Sequence, residues 1–333
     1  METRIQTTQL MPFFAQPDEQ PNLFAAATSR NLPFIEANTH EVDMRHLRED
    51  CIIPVFSKDN EVTISHQDFI ETVFDAASSV FPSETIHEPV IRVSHIVKGR
   101  IPEAIHKPVS ELLESDKTIY HERMMFCIEI PSIHRDVDGN RLNLTIGGVR
   151  AYNEQNLYVR KSPEKFRIFI GFKNMVCCNL CVSTDGYKSA VKVMDTHGLL
   201  EAALQLFRGY DMAMHLRIME AYRECSLTES QFAQFLGKCR MYQFLPTSER
   251  KHLPEMLMTD TQAGIVARSY YDDPDFGGRG GEISLWKVFN LLTGANKSSY
   301  IDNFLDRAEN AGQLTTGICR ALYGDPRYAW FIR

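Results

Sequence analysis

The sequence contains no run of about 18 apolar residues, the length a helix needs to cross a bilayer, so no transmembrane helix is predicted. The stretch Met1 to Pro12 lacks the basic segment and apolar core of a secretory signal. Together these absences predict a cytoplasmic protein with no membrane partner. Cysteine is sparse, eight residues in 333, which excludes a disulfide-stapled scaffold and predicts reduced, mostly buried thiols. No internal repeat or low-complexity segment is present, which excludes solenoids and propellers. There is also no excess of positive charge. The formal net charge is -7, so general electrostatic attraction to nucleic acid or anionic lipid is excluded, and such binding would need a local basic face.

Motifs that would announce a chemistry are missing too. None of the eleven histidines shows HExxH spacing, and Pro89 directly after His87-Glu88 rules out a helix there. Cys178-Asn-Leu-Cys181 has CxxC spacing, but no second pair completes a zinc ribbon, and its apolar strand-like context predicts core thiols. Gly294-Ala-Asn-Lys-Ser298 resembles the end of a phosphate-binding loop. Leu291 and Asn296 occupy the positions where that loop needs glycine, so a helix end followed by a helix start is the better reading. Asp273-Pro-Asp275 opens like a calcium loop, yet Gly277 and Ser284 stand where oxygen ligands belong. No cofactor and no metal are expected, and catalytic residues stay unknown.

What is present is an ordinary globular balance, 44% hydrophobic and 24% charged, in a length suited to one large domain or two ordinary ones. Residues 1–32 read as a loose leader, interrupted by Pro12, Pro17 and Pro21, with enough apolar residues to lie partly against the body. Residues 50–64 read as a hairpin around Ser57-Lys-Asp-Asn60. Ser65 caps a helix whose Phe69, Ile70, Val73, Phe74 and Ala77 share one face, ending before Pro82. Residues 89–185 are strand-rich. They comprise Val90 to Val97, Thr118 to Ile130, a turn at Asp138-Gly-Asn140, and the apolar stretch Phe166 to Val182, closed by Ser183-Thr-Asp-Gly186. From about residue 196 the period becomes 3.6, with Ser226-Leu-Thr-Glu229 as a capping box and further helices at 260–271, 283–293, 299–310 and 313–323. The predicted class is α+β, an antiparallel strand-rich N-terminal part followed by an all-helical C-terminal part. The predicted division is a leader at 1–32, a strand-rich domain at 33–190 and a helical domain at 191–333.

One segment departs from the acidic whole. Between residues 141 and 173 stand Arg141, Arg150, Arg160, Lys161, Lys165, Arg167 and Lys173 against Glu154 and Glu164, seven positive and two negative charges, a balance of +5. Tyr152 and Tyr158 are interleaved. Cations with aromatics on a sheet grip single-stranded nucleic acid by neutralising phosphates and stacking bases, which makes these nine residues the candidate nucleic-acid site. The competing arrangement is a strand face that sends charges to solvent and aromatics to the core.

Five runs then suggest kinship: Cys51 to Glu61, Lys98 to Lys107, Asn143 to Tyr152, Phe169 to Asn174 and Leu291 to Tyr300. They resemble a Bacteroidetes family known as domain of unknown function 3871, over about residues 34–323. The stretches Phe169 to Cys181 and Trp286 to Asp302 are similar, more faintly, to a phage- and plasmid-related family, domain of unknown function 932. The resemblance implies a mobile-element or prophage setting and no catalytic residues. Three functions are compatible: binding of single-stranded DNA or RNA in replication, recombination or transfer; a protein-binding module that interferes with a host defence system, its partner a host or element-encoded protein; or an enzyme with a dispersed site. A basic groove would favour the first, an exposed apolar patch the second, and a cavity with convergent polar groups the third.

Overall fold

A computed structural model describes residues 32–51, 63–104, 106–155, 162–278 and 280–333. The predicted leader, Leu32 apart, and residues 52–62, nearly the whole of the predicted 50–64 hairpin, lie outside these residues. Residues from Leu32 onward cluster as one compact unit.

The chain runs β1 (His40–Val42), α1 (Met44–Glu49), α2 (His66–Val80), β2 (Val90–Val93), β3 (Ile96–Arg100), β4 (Lys117–His121), β5 (Arg123–Val137), β6 (Asn140–Ala151), β7 (Glu164–Asn174) and β8 (Leu180–Val193). It continues through α3 (Thr196–Gly209), α4 (Met212–Arg223), β9 (Ser226–Thr228), α5 (Glu229–Tyr242), α6 (Thr247–Arg250), α7 (Asp260–Asp272), β10 (Glu282–Ser284), α8 (Leu285–Asn296) and α9 (Ile301–Leu322). This is an α+β fold, with the large antiparallel sheet in the N-terminal half and helices in the C-terminal part. No helix among the described residues is long and apolar enough to cross a membrane.

The main sheet has the order β1-β2-β5-β6-β7-β8, all neighbours antiparallel. The β5–β6 hairpin closes through Asp138 (φ 51°) and Gly139 (φ 74°), two consecutive left-handed residues, as a primed turn requires. Ser65 caps α2 as expected, its hydroxyl accepting from the Asp68 amide while the Asp68 carboxylate accepts from the Ser65 amide.

Both faces of the sheet are covered. Phe126, Ile128, Leu144, Ile146, Phe166, Ile168 and Phe172 belong to one apolar core, shared with Phe69 and Val73 of α2 and Leu199 and Ala203 of α3. Met125, Cys127, Val149, Phe169 and Leu180 belong to a second core, shared with Phe304, Leu305 and Ala308 of α9. For that reason every residue from Phe166 to Phe172 is buried, although alternation predicts a half-exposed strand.

Several predicted boundaries shift. Phe166 to Val182 is not one strand: the chain turns at 175–179, where Cys178 takes φ 58° and the Asn174 side chain accepts from the Val176 amide. Ser183–Gly186 does not end a strand but bulges within β8. Ser226 opens β9 rather than a helix, because pairing with β10 keeps residues 226–228 extended. Thr228 and Gln231 then supply the capping box of α5. The two helices predicted over 299–323 are one, α9, which passes through Gly312 where that residue lies against β8. Cys225 and Cys319 form a disulfide with Cα atoms 6.0 Å apart, against the expectation of reduced thiols throughout. The predicted junction at residues 190–191 falls inside β8.

Candidate ligand cavity

Strand β8 makes the site by leaving its partner. Phe169 pairs with Tyr187 and Gly171 with Val182, so four residues, Ser183–Gly186, stand opposite Ile170 alone. Gly186 permits this, because a Cβ there would lie 2.2 Å from the Ile170 carbonyl oxygen. The bulge is pinned at its apex. Asp185 accepts from the Ser183 hydroxyl at 2.6 Å and from the Asp211 amide at 2.9 Å, while Asp211 caps the start of α4 by accepting from the Met214 amide.

Helix α4 then presents His215, Ile218 and Tyr222 to the bulge at spacings of three and four residues. Across from it, α9 presents Glu309, Gln313, Thr316 and Arg320 on one face. Between them lies a cavity of about 470 Å³, with Phe289 of α8 and Tyr328 of the C-terminal segment completing its walls. Tyr328 closes down on α9 because residue 317 is glycine. A Cβ there would stand 2.3 Å from the tyrosine ring.

The polar groups of the cavity are ordered. Tyr222 Oη donates to the Gly312 carbonyl at 3.1 Å and lies 2.7 Å from Thr316 Oγ1. Gln313 Nε2 donates to Glu309 Oε1 at 3.0 Å and to Thr184 Oγ1 at 3.3 Å. Desolvation pushes the Glu309 carboxyl above its ordinary range, with the nearby Asp306 charge adding to it.

His215 is 5% exposed, and burial pushes its imidazole down to about 4, so the ring is neutral at neutral pH. Its Nδ1 lies 2.6 Å from Tyr210 Oη. Burial and the Asp185 charge raise the Tyr210 phenol well above its ordinary value, so the hydroxyl keeps its proton. The other ring nitrogen, Nε2, makes no hydrogen bond among the described residues.

Charge is distributed along α9. Glu309 and Asp185 mark one end of the cavity and Arg320 and Arg327 the other. Glu309 and Arg320 are eleven residues apart on one helix, roughly 16 Å at 1.5 Å per residue. Arg327 is engaged by the carboxylate of Asp325. Arg320 has no ion pair among the described residues.

Six of the nine candidate nucleic-acid residues are described, and they do not line this cavity. Tyr158, Arg160 and Lys161 fall outside the described residues. Arg150 is fully buried, its guanidinium 4.4 Å from the Tyr152 ring centre and 4.7 Å from that of Phe166, and it pairs with Glu164. Tyr152 is buried as well. Lys165 and Arg167 both pair with Glu154, at 3.0 and 2.9 Å, and Lys173 pairs with Glu129 at 2.5 Å. Arg141 is exposed and donates to Asn143 and to the Pro131 carbonyl. A net local charge of +5 thus includes four ion-paired cations. Counting along the chain cannot reveal this, because two of the neutralising acids, Glu129 and Glu154, reach the basic residues across strands.

The buried CxxC sits at the turn between β7 and β8. Cys178 and Cys181 are buried and Cys177 partly so. Burial pushes the Cys177 thiol up to about 12 and the Cys181 thiol higher still. The grouping of His, Cys, Asp or Glu donors that could hold a metal ion, among the described residues, is instead His46, Cys51 and His121, far from the cavity in sequence.

The family described as "Domain of unknown function, B. Theta Gene description (DUF3871)" has a model that matches residues 22–332. The chain belongs to this family. No curated protein and no solved structure matches it.

Proposed function

We propose that this protein binds a small dipolar organic molecule, of amino-acid or short-peptide type, in the cavity between the β8 bulge, α4 and α9. The observation that carries this reading is the polarity of the cavity. Carboxylates stand at one end, the unpaired Arg320 guanidinium at the other, and the neutral His215 ring lies between aromatic walls. A cationic or amine end of a ligand pairs with Asp185 and Glu309, and an anionic end takes the Arg320 fork. Tyr222 and Phe289 offer apolar surface to the body of the ligand. The volume lies within the range of small-molecule sites, and enclosed apolar walls with a few convergent polar groups are how such sites achieve orientation. A dispersed site of this kind also suits an enzyme, with the His215 ring as a hydrogen-bonding group toward the substrate.

The test is calorimetric titration with L-phenylalanine, the dipeptide Ala-Phe and two singly charged analogues, phenylacetate and phenethylamine. The dipolar compounds are expected to bind, and the singly charged ones to bind at least tenfold more weakly. Replacing Arg320 by Glu should weaken dipolar binding by about tenfold or more, the loss of one charge-assisted contact. Thermal stability should be nearly unchanged, since Arg320 is exposed and unpaired. Absence of binding by all four compounds at millimolar concentration would sink the reading, as would equal affinity for dipolar and singly charged ones.

A further inference from the structure

Away from the cavity, three side chains converge where α1 meets the β3–β4 ribbon. Helix α1 is a single short turn and a half, capped by Asp43 accepting from the His46 amide. Its exit is tight: the amides of Asp50 and Cys51 both donate to the His46 carbonyl, at 3.1 and 3.2 Å. This folds Cys51 back beside His46, and Cys51 also bridges to Ile119 of β4. His121, at the end of that strand, is fully buried. His46 Nε2 lies 2.9 Å from His121 Nε2, and Cys51 Sγ lies 3.5 Å from His46 Nε2. All three donor atoms lie within 4.8 Å of one another.

The second nitrogen of each ring decides what lies between the first ones. His121 Nδ1 is 2.7 Å from the Ser94 carbonyl oxygen, which can only accept, so Nδ1 carries a proton. His46 Nδ1 is 2.9 Å from an Asp50 carboxylate oxygen and carries a proton for the same reason. Two neutral imidazoles held in this way each present a lone pair at Nε2, and the two lone pairs face each other at hydrogen-bond distance with no hydrogen between them. That arrangement is repulsive unless a cation sits there. An Nδ1–H donated to a carboxylate or a backbone carbonyl is also the outer arrangement that orients a metal-bound histidine and raises its basicity.

The spacings fit a particular ion. Tetrahedral zinc with Zn–N near 2.0–2.1 Å and Zn–S near 2.3 Å places two nitrogens about 3.3 Å apart and a nitrogen and sulfur about 3.6 Å apart. The observed 2.9 and 3.5 Å need only a small opening of the two rings. Two imidazoles and one thiolate are a borderline donor set, which suits zinc over magnesium or calcium.

We propose that His46, Cys51 and His121 bind one zinc ion through Nε2, Sγ and Nε2. Asp50 and the Ser94 carbonyl orient the two rings, and a fourth position is left for water. The exposed ring of His40, its centre 5.3 Å from that of His121, stands beside the cluster. The centre fastens α1 and Cys51 to the ribbon, and His66 of α2 supports it from behind by donating to the His121 carbonyl at 2.8 Å.

The experiment is elemental analysis of the full chain purified without chelator, followed by cobalt substitution. The expected result is close to one zinc per chain, falling below a tenth in Cys51→Ser, His46→Gln and His121→Gln. The Cys178→Ser/Cys181→Ser protein should keep its zinc. Cobalt-loaded wild type should show a thiolate-to-cobalt charge-transfer band that Cys51→Ser alone abolishes while retaining weak cobalt binding. That readout separates loss of a ligand from loss of the fold. A chain isolated without metal that also fails to take up cobalt at micromolar concentration overturns the proposal, leaving the imidazoles sharing a proton. So does zinc retained at full occupancy in Cys51→Ser or His121→Gln.

Discussion

Replacing Arg150 by Met is expected to destabilise the protein by about 3–5 kcal/mol, because the substitution strands a largely buried carboxylate. Arg150 is 0% exposed. Its two terminal nitrogens contact the Glu164 carboxylate and the Ile64 carbonyl, while Glu164 also accepts from the Ile64 amide at 2.9 Å. The pair thus joins β6 and β7 to the segment that leads into α2. Attraction between desolvated charges is strong, but so is the cost of their desolvation, and the two nearly offset each other. Removing either partner alone leaves only the cost. Glu164→Gln should therefore also be harmful, leaving the guanidinium without a counter-charge between Tyr152 and Phe166. The double variant Arg150→Met/Glu164→Leu should recover most of the loss, since both faces become apolar and Met fills much of the arginine volume. Urea denaturation of the four proteins gives the coupling as a double-mutant cycle. Single variants costing less than about 1 kcal/mol, or a double variant as unstable as the sum, would show that the pair is not desolvated as described.

Lowering the pH from 6.5 to 4 is expected to remove about 3 kcal/mol of stability through His215 alone. Its imidazole titrates near 6.5 in the unfolded chain and is pushed down to about 4 by burial in the fold. Above pH 6.5 the ring is neutral in both states and the contribution is fully present. Below it, the unfolded chain binds a proton that the native state refuses, so stability falls by about 1.4 kcal/mol per pH unit until the native ring titrates as well. The groups facing the ring are Tyr210, whose hydroxyl holds Nδ1, Asp185 on β8, which opposes the shift, and Glu309 and Arg320 across the cavity on α9. Carboxylates elsewhere titrate in the lower part of this range, so the comparison is with His215→Asn, whose stability should be flatter between pH 6.5 and 4. Parallel curves for the two proteins would mean that the ring is hydrated in the folded state.

The two results bear on different parts of the molecule, and each depends on partners remote in the chain. Arg150 and Tyr152 were legible as a cation beside an aromatic, the sign of a stacking surface. Their burial was not legible, because α2 and the segment before it cover that face of the sheet, and nothing between residues 141 and 173 encodes the covering. Lys173 and Glu129 lie 44 residues apart and meet only because β5, β6 and β7 are neighbours in register. The cavity was illegible for a like reason. Its charged ends come from the β8 bulge and α9, and its neutral imidazole from α4. His46, Cys51 and His121 escaped notice because the motifs that announce metals place their ligands close together, while here one ligand is 75 residues from another.

The sequence by itself determined the local elements that short-range physics controls. Ser65 with Asp68 started α2, Asp138-Gly139 turned the β5–β6 hairpin, and the change from strand-like to helical period at about residue 196 set the α+β class. In each case the deciding contact spans four residues or fewer. The tertiary structure alone decided what lies against what. Packing of α9 on the second face of the sheet made β7 fully buried, pairing of β9 with β10 moved the cap of α5 from Ser226 to Thr228, and docking of Gly312 against β8 kept α9 continuous. The physical reason is that burial, ion pairing and cavity shape depend on distances between segments far apart in the chain. Those distances exist only once the sheet has formed and the helices have closed over both of its faces.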